Sequence, residues 1–363
     1  MIMKKILLSG YYGFNNTGDE AILSALIAGL KERIAELEII VLSANPQFTT
    51  QLHQVEAVNR INFKKIGQEL KRADLLISGG GSLLQDVTGF KTIPYYLGII
   101  VLAKVMKTPV FFCAQGVGPV NNRLNQKLVA YILNKVDLIT VRDQKSRALL
   151  QSWGVKNKIT VTADLVFSLD ASNKDLDNDI LIPEEIEFNQ PTIGVAVRSW
   201  GDNSYLNQLA LVLDDLILKL GVNILLIPFH YPNDYEAGKL LQNKMKQAVN
   251  LITTNYSPEE VLAIVRQCDL LVGVRLHAVI FAAVSQIPVA GISYDPKVDN
   301  FLAQLNLEAV ADINHFTAKS LEEKLIALWN NRNEQLERRE GQIARLRQLS
   351  EMNFKLLREK LGE

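Results

Sequence analysis

Three stretches of this chain share one layout, and that layout restricts the possible folds strongly. They are residues 74–80 (DLLISGG), 137–143 (DLITVRD) and 269–275 (DLLVGVR), and each runs from an aspartate through branched apolar residues to a small or cationic end. Near-continuous apolar strands that alternate with helical patterns indicate a parallel sheet whose two faces are covered by helices. The sequence therefore predicts an α/β fold.

The alternating series of strands and helices is interrupted once. Residues 169–190 are polar and show no periodicity, and 363 residues are enough for two domains of ordinary size. We predict a Rossmann-like domain at residues 1–170, a linker at 171–190, a second Rossmann-like domain at 191–318 and charged helices at 319–363. In this arrangement two doubly wound parallel sheets face a central cleft, and the active site is expected in that cleft.

The overall composition argues against several classes of protein. Lysine plus arginine (39) equals aspartate plus glutamate (39), and this zero formal charge argues against a nucleic-acid partner. Cys113 and Cys268 lie in apolar runs, which predicts buried free thiols in a reducing compartment. The chain shows no signal-peptide pattern and no apolar run of bilayer length. We expect a soluble cytoplasmic protein, and the charged C-terminal helices leave a peripheral contact with a membrane or a partner open.

The strongest candidates for a functional site are Arg275 and His277. They follow an apolar strand and begin the next helix, which is where open α/β sheets bind ligands and where free N–H groups favour anions. Arg142 ends an analogous strand, and Lys297 follows the next strand along the chain. Three cations suit a phosphate together with a carboxylate, whereas a neutral sugar would leave them unpaired. The alternative is that Arg275 pairs with a surface carboxylate, His277 caps the helix and Lys297 is merely solvated.

Two glycine-rich loops in the first domain are candidates for the opposite wall of the cleft. Residues 10–22 (GYYGFNNTGDEAI) have the pattern strand, loop, helix, yet match neither the dinucleotide nor the P-loop fingerprint. Residues 79–81 are three consecutive glycines, which let a backbone approach a ligand closely. The candidate residues of these loops are Asn15, Asn16, Asp19, Gly80, Gly81, Gln85 and Asp86. For the first three, turn formation and helix capping are the alternative.

Five motifs follow one another over most of the chain: GYYGFNNTGDEAI, SGGGSLLQD, AQGVGP, TVRDQKS and GVRLHAV. Together they resemble the polysaccharide pyruvyl transferases, and most closely the CsaB type, which ketalises N-acetylmannosamine in secondary cell-wall polymers of S-layer systems. The resemblance implies a GT-B-like fold, phosphoenolpyruvate as co-substrate, and no metal or other cofactor. It implies donor binding by Arg142, by the run Arg275, Leu276 and His277, and by Lys297. It also implies a saccharide acceptor, lipid-linked in S-layer systems, at the inner face of the plasma membrane.

These residues suggest a mechanism. A general acid, for which His277 is the candidate, protonates the methylene carbon of phosphoenolpyruvate, and one sugar hydroxyl attacks the resulting oxocarbenium-like centre at C2. Phosphate leaves, and a second hydroxyl closes the cyclic ketal. Arg142, Arg275 and Lys297 would neutralise the departing phosphate. Asp19 is the candidate to accept a hydroxyl proton, and the other polar loop residues would orient the sugar.

Two other functions fit the same pattern. A nucleotide-sugar glycosyltransferase of the same architecture would need a carboxylate at a strand-to-helix junction of the second domain to hold a ribose. Arg275 and His277 occupy one such junction, although Asp269 and Asp295 are nearby. A non-enzymatic protein that binds phosphorylated metabolites would also explain the cations. Calorimetry with phosphoenolpyruvate and with UDP-sugars distinguishes a pyruvyl transferase from a glycosyltransferase.

Overall fold

The computed structural model describes residues 3–86, 89, 92–169, 186 and 188–362. The chain divides into two compact units. The N-terminal unit consists of Met1–Phe14, Asp19–Leu169 and Arg345–Glu363, and the C-terminal unit consists of Asn15–Gly18 and Asp170–Ala344. Each unit contains one parallel sheet, which confirms the predicted α/β fold with two parallel-sheet domains.

The sheet of the N-terminal unit has seven strands in the order β3-β2-β1-β4-β5-β6-β7, and all neighbours are parallel. The central strands are buried on both faces because helices pack on both, and this explains why they lack an apolar-polar alternation. The strands are β1 (Lys4–Tyr12), β2 (Leu37–Ser43), β3 (Glu56–Asn59), β4 (Leu75–Gly79), β5 (Val110–Gln115), β6 (Leu138–Val141) and β7 (Ile159–Val161).

The helices between these strands begin at polar caps that the sequence provides. Asn122 accepts the amides at the start of α5, and Asp143 accepts the Ser146 amide at the start of α6. The helices are α1 (Thr17–Arg33), α2 (Pro46–His53), α3 (Phe63–Arg72), α4 (Thr92–Val105), α5 (Arg123–Leu133) and α6 (Gln144–Ser152), followed by a 3-10 turn (Leu165–Ser168).

The sheet of the C-terminal unit has six parallel strands in the order β10-β9-β8-β11-β12-β13. From β8 the chain proceeds to β9 on one side, and β11 later joins β8 on the other side. The strand order therefore reverses between β8 and β11, and ligands of open α/β sheets bind at such switch points. The strands are β8 (Thr192–Ala196), β9 (Asn223–Leu226), β10 (Asn250–Leu251), β11 (Leu270–Gly273), β12 (Val289–Ser293) and β13 (Ala311–Asp312).

The helices of the C-terminal unit form two groups, because α7 packs on α8 and α12, whereas α10 packs on α9 and α11. Ser257 and Glu260 complete a capping box at the start of α9. The helices are α7 (Tyr205–Leu220), α8 (Asn233–Gln242), α9 (Pro258–Arg266), α10 (Leu276–Val284), α11 (Pro296–Gln304), α12 (Ala318–Asn330), α13 (Arg332–Glu337) and α14 (Glu340–Leu361), whose last residues from Arg345 belong to the N-terminal unit.

The unit boundaries differ from the predicted domains in two places. Residues 15–18 belong to the C-terminal unit, because the Thr17 amide donates to Phe229 O (2.9 Å) and the Tyr231 amide donates to Asn15 O (3.0 Å). The helices at 319–363 do not stand apart, because their apolar faces are buried in the two cores, for example at Trp329 and Phe354. Of the predicted linker at 171–190, residues 171–185 and 187 lie outside the described residues.

Two further predictions concern the cysteines and the membrane. Cys113 and Cys268 are free and buried, as predicted. Within the described ranges, no helix combines the length and the apolar character that crossing a bilayer requires.

Candidate active site

The carboxyl ends of four adjacent strands of the C-terminal sheet carry the polar residues of the candidate site. His230 and Asp234 follow β9, Arg198 follows β8, Arg275 and His277 follow β11, and Tyr294 and Lys297 follow β12. Parallel strands end at the same edge of a sheet, so the fold brings these residues to the switch point and its two flanks. The prediction from the sequence included Arg275, His277 and Lys297 of this set.

Arg275 is fixed by a buried carboxylate. Its Nε donates to Asp234 Oδ2 at 2.8 Å, and its Nη2 donates to the other carboxylate oxygen. The Asp234 side chain is fully buried, and its Oδ2 also accepts the Phe229 amide at 3.3 Å. The alternative interpretation, in which Arg275 pairs with a carboxylate, therefore holds, but this carboxylate is buried and does not lie at the surface. A bidentate pair of this kind fixes the plane of the guanidinium before any ligand arrives.

His277 lies in the first turn of α10, where the N-cap residue is Arg275. The helix-capping alternative for His277 is therefore wrong. The Gly18 backbone lies directly against the imidazole, since a methyl group on Gly18 would stand 2.0 Å from Nδ1 and 2.1 Å from Cγ of His277. His277 is thus held between its own helix and the segment 15–18.

The segment 15–18 is anchored to the strand-end loop after β9. Asn16 forms an isolated antiparallel bridge with His230, and Asn16 Oδ1 accepts the Gly18 amide at 3.1 Å. Asn15 adopts a left-handed backbone conformation with φ 55°, which asparagine tolerates better than most residues. The structure therefore places Asn15 and Asn16 in the same unit as His277, although the sequence assigned them to the opposite domain.

Lys297 and Arg198 share one aromatic ring. Lys297 Nζ lies 5.3 Å from the centroid of Tyr294, and the Arg198 guanidinium lies 4.3 Å from the same centroid. Lys297 also lies 3.7 Å from a carboxylate oxygen of Asp295, which caps α11 through the Lys297 amide. Sequence reasoning missed Arg198. The signal was present, since TIGVAVR ends an apolar strand in the manner of DLITVRD and DLLVGVR.

In the N-terminal unit, Arg142 joins three of the sequence motifs. It is buried, its Nη1 donates to Asp164 Oδ2 at 2.9 Å, and its Nη2 donates to Ser82 Oγ at 3.0 Å. A Cβ on Gly116 would lie 2.7 Å from Arg142 Nε, so the glycine of AQGVGP leaves room for the guanidinium. The carboxylate partner Asp164 was also missed, because it is distant in sequence from the motif TVRD.

Asp19 lies against the glycine turn after β4. Gly80 and Gly81 have φ values of +73° and +66°, and a Cβ on Gly81 would stand 2.6 Å from Asp19 Oδ1. Both glycines are therefore required by backbone conformation and by close approach. Burial raises the pKa of the Tyr12 phenol well above its usual value, and the nearby Asp19 charge raises it further. Tyr12 thus stays protonated and donates to Gly79 O at 2.9 Å.

Asp86 binds the backbone of the loop that precedes α5. Its carboxylate accepts the Asn121 amide at 2.9 and 3.0 Å and the Asn122 amide at 3.0 Å. Partial burial acts to raise the pKa of Asp86, but these amide hydrogen bonds outweigh it, and the pKa is lowered. Gln85, beside it, is half-buried. In the structure Asp86 therefore has a local task, which is to hold this loop.

The predicted site residues fall into two groups, one in each unit. Arg142, Asp19, Gly80, Gly81, Gln85 and Asp86 belong to the N-terminal unit, and Asn15, Asn16, Arg275, Leu276, His277 and Lys297 belong to the C-terminal unit. Among the residues that the structure describes, no three histidine, cysteine, aspartate or glutamate side chains are grouped so as to hold a metal ion.

Two parallel-sheet α/β domains and a C-terminal helix define a GT-B-like fold. Solved structures with this fold are similar over nearly the whole chain. A Staphylococcus aureus MnaA–UDP structure has a TM-score of 0.70 at 11% identity and covers 99% of this chain and 97% of its own. UDP-GlcNAc 2-epimerase from Neisseria meningitidis has a TM-score of 0.68 at 14% identity, and Anabaena Alr3699/HepE with UDP and glucose has 0.65 at 14%; each pair overlaps over 99% of both chains.

The particular family follows from the sequence. The model of the polysaccharide pyruvyl transferase family matches residues 16–296, and the chain belongs to this family. The amylovoran biosynthesis protein AmsJ of Erwinia amylovora is 23% identical over 404 residues, which take in 94% of this chain and 95% of that protein. The protein is accordingly a polysaccharide-modifying transferase.

Proposed function

We propose that this protein transfers pyruvate from phosphoenolpyruvate to two hydroxyls of a polysaccharide sugar and releases phosphate. The observation that carries the proposal is the position of His277 in the first turn of α10, beside an arginine fixed by a buried carboxylate. An imidazole titrates near neutral pH, and the start of a helix favours an anion. Proton transfer and phosphate stabilisation are the two tasks of this reaction.

His277 gives a proton to the methylene carbon, which becomes a methyl group, and C2 becomes electron-deficient. One sugar hydroxyl forms a C–O bond to C2 and loses its proton. The bond from C2 to the phosphate oxygen breaks, and the second hydroxyl attacks C2 and closes the ketal. Of the two hydroxyl protons, one restores His277, and the other is accepted by Asp19 and then leaves with the phosphate.

The charges of the C-terminal unit support this chemistry. Arg275 follows the same strand as His277, β11, and Lys297 follows the neighbouring strand β12. Both would stabilise phosphate as charge develops on it. Leu276, between Arg275 and His277, is buried and anchors the turn that presents them. In the N-terminal unit, Arg142 is proposed to bind phosphoenolpyruvate, and variants of Arg142 would test this contact separately.

For the acceptor we extend the proposal to N-acetylmannosamine on a lipid-linked precursor, at the cytoplasmic face of the membrane. The resemblance to CsaB-type sequences supports this choice, and the exopolysaccharide relative supports a polysaccharide in general. Asp19 is proposed to accept a hydroxyl proton. The sugar would be oriented by Asn15, Asn16, Gly80, Gly81, Gln85 and Asp86. The Asp86 carboxylate also holds the loop before α5.

The test combines turnover and binding. Purified protein with phosphoenolpyruvate and an N-acetylmannosamine acceptor should release phosphate, and mass spectrometry should show the acceptor carrying a ketal-linked pyruvyl group. His277→Asn should lower phosphate release by about 10²- to 10⁴-fold, the range for loss of a general acid, while calorimetry still shows phosphoenolpyruvate binding. His315→Asn, at an exposed histidine of the same unit, is the matched control. Full turnover by His277→Asn would exclude the acid role, and tight binding of UDP in place of phosphoenolpyruvate would indicate a glycosyltransferase.

A further inference from the structure

We infer that Arg198 binds the carboxylate of the donor, phosphoenolpyruvate. Arg198 belongs to the C-terminal unit and lies outside the five sequence motifs. This inference rests on the proposed function, because it assigns one end of phosphoenolpyruvate to a particular side chain. Four observations support it: the place of Arg198 in the sheet, its lack of a carboxylate partner, the way it is held, and its free hydrogen-bonding edge.

Arg198 stands at the switch point. It follows β8, which lies between β9 and β11 in the sheet, so its neighbours along the edge are the loops that carry Asp234 and Arg275. The charges of this edge reach a common point, the buried Tyr205 phenol. Burial raises the pKa of Tyr205, the Asp234 charge raises it further, and the charges of Arg198 and Arg275 oppose this rise. The position of Arg198 between Asp234 and Arg275 thus follows from the strand order β9-β8-β11.

The charge balance distinguishes Arg198 from the other cations. Arg275 is paired with Asp234, and Lys297 lies 3.7 Å from Asp295. Within the described part of the chain, no carboxylate lies within 4.0 Å of the Arg198 guanidinium. The charge of Arg198 is therefore not neutralised locally. An anionic ligand at this edge is attracted more strongly by such a cation than by one whose charge a carboxylate already neutralises.

Arg198 is nevertheless held in place. Its guanidinium lies over Tyr294 at 4.3 Å and near Trp200 at 5.5 Å, and the two rings make an edge-to-face contact at 5.2 Å. The Tyr205 hydroxyl donates to Arg198 O at 2.6 Å and fixes the backbone. An aromatic surface orients a guanidinium while leaving its N–H groups available.

The free edge of Arg198 matches a carboxylate. Among the described residues, its side chain donates from Nε alone, to Ser199 O at a long 3.5 Å. The two terminal nitrogens are thus available as a planar fork, the arrangement that binds a carboxylate through two parallel hydrogen bonds. Lys297, on the same Tyr294 ring, and Arg275 remain for the phosphate. Because the carboxylate is retained in the product, contact with it stabilises ground state and transition state alike.

The experiment measures binding and turnover for wild type, Arg198→Met and Arg198→Lys. We expect Arg198→Met to weaken phosphoenolpyruvate binding by about 10- to 100-fold, as expected for loss of a charged bidentate contact, with unchanged calorimetric affinity for inorganic phosphate. KM should rise in the same proportion, with kcat within about 3-fold of wild type, as for uniform binding. Arg198→Lys keeps the charge without the fork and should recover part of the affinity.

Lys239→Met is the matched control, because it removes one exposed positive charge of the same unit from α8, and it should bind phosphoenolpyruvate as wild type does. If wild type binds phosphoenolpyruvate and both Arg198 variants bind it equally well, the role of Arg198 is refuted and the proposed function stands. Equal loss of phosphate affinity would overturn the carboxylate assignment. If wild type does not bind phosphoenolpyruvate, the proposed function fails and this inference with it. Arg198→Lys serves alone if Arg198→Met does not fold.

Discussion

At the scale of single residues, both predicted arginines are bound to buried carboxylates, Arg142 to Asp164 and Arg275 to Asp234. Buried ion pairs of this kind add little net stability, because desolvation offsets the attraction. Their effect is on orientation, since each guanidinium is fixed before a ligand binds. Preorganised donors of this kind need no reorganisation as charge develops on a phosphate.

The contact between Gly18 and His277 yields a prediction for one residue. Gly18→Ala places a methyl group about where the imidazole lies, 2.0 Å from Nδ1, so His277 or the segment 15–18 must move. Alanine favours a helix by up to about 1 kcal/mol over glycine, but this gain is smaller than the effect of the clash. We expect phosphate release to fall by about 100-fold, as for a displacement of roughly 1 Å in a reacting group.

The control for this prediction is Gly67→Ala, in α3. A Cβ at Gly67 meets no atom within 4 Å, so this variant should keep full activity and be up to about 1 kcal/mol more stable. Unchanged turnover in Gly18→Ala would show that the position of His277 does not depend on this close contact. Histidine NMR titrations of both variants would detect a displaced imidazole directly.

At the scale of elements, strand ends were predictable from sequence and their partners were not. Arg275, His277 and Lys297 are visible because each stands next to an apolar run. Asp234 and Asp164 lie 41 and 22 positions from the arginines that they bind, and no local pattern links residues so far apart. The segment 15–18 was assigned to the wrong unit for a similar reason, because backbone hydrogen bonds to residues 229–231 leave no trace in composition.

The C-terminal helix α14 depends on one buried amide. Asn353 Oδ1 accepts the hydroxyls of Thr140 at 2.7 Å and Thr162 at 3.1 Å, and its Nδ2 donates to Ser350 O. This network joins the end of the chain to β6 and to the residue after β7. The sequence predicts only charged C-terminal helices here, because a lone asparagine within a helical pattern gives no sign of such partners.

Asn353→Leu should therefore destabilise the N-terminal unit. The leucine is similar in size, but the Thr140 hydroxyl loses its acceptor in a buried site, at a cost of about 1–3 kcal/mol for a group left unsatisfied. The Thr162 hydroxyl keeps only the Val141 carbonyl, at 3.3 Å. Urea denaturation should show a lower midpoint than in wild type. Met352→Leu, at an exposed neighbour, should stay within about 0.5 kcal/mol. Equal midpoints for the two variants would mean that water replaces the amide oxygen.

At the scale of the whole molecule, each unit has its own hydrophobic core and its own buried thiol. Cys113 lies on β5 of the N-terminal unit, and Cys268 directly precedes the third motif strand in the C-terminal unit. Burial raises the pKa of Cys113 well above its usual value, and it raises the pKa of Cys268 to about 12, with Asp269 adding to the effect. The thiolate is the reactive form of cysteine. Both thiols should therefore react slowly, because burial blocks the reagent and because the raised pKa keeps the thiol protonated.

This protection makes the thiols probes of the two cores. At pH 8, native protein should react with a disulfide reagent far more slowly than a variant with an exposed thiol, such as Ser152→Cys, and urea should release both native thiols. In a Cys268→Ala background, Asn353→Leu should shift labelling of Cys113 to lower urea, because the two residues share the N-terminal core. In a Cys113→Ala background, labelling of Cys268 reports the C-terminal core. Rapid labelling of either thiol in native protein would contradict the burial on which the prediction rests.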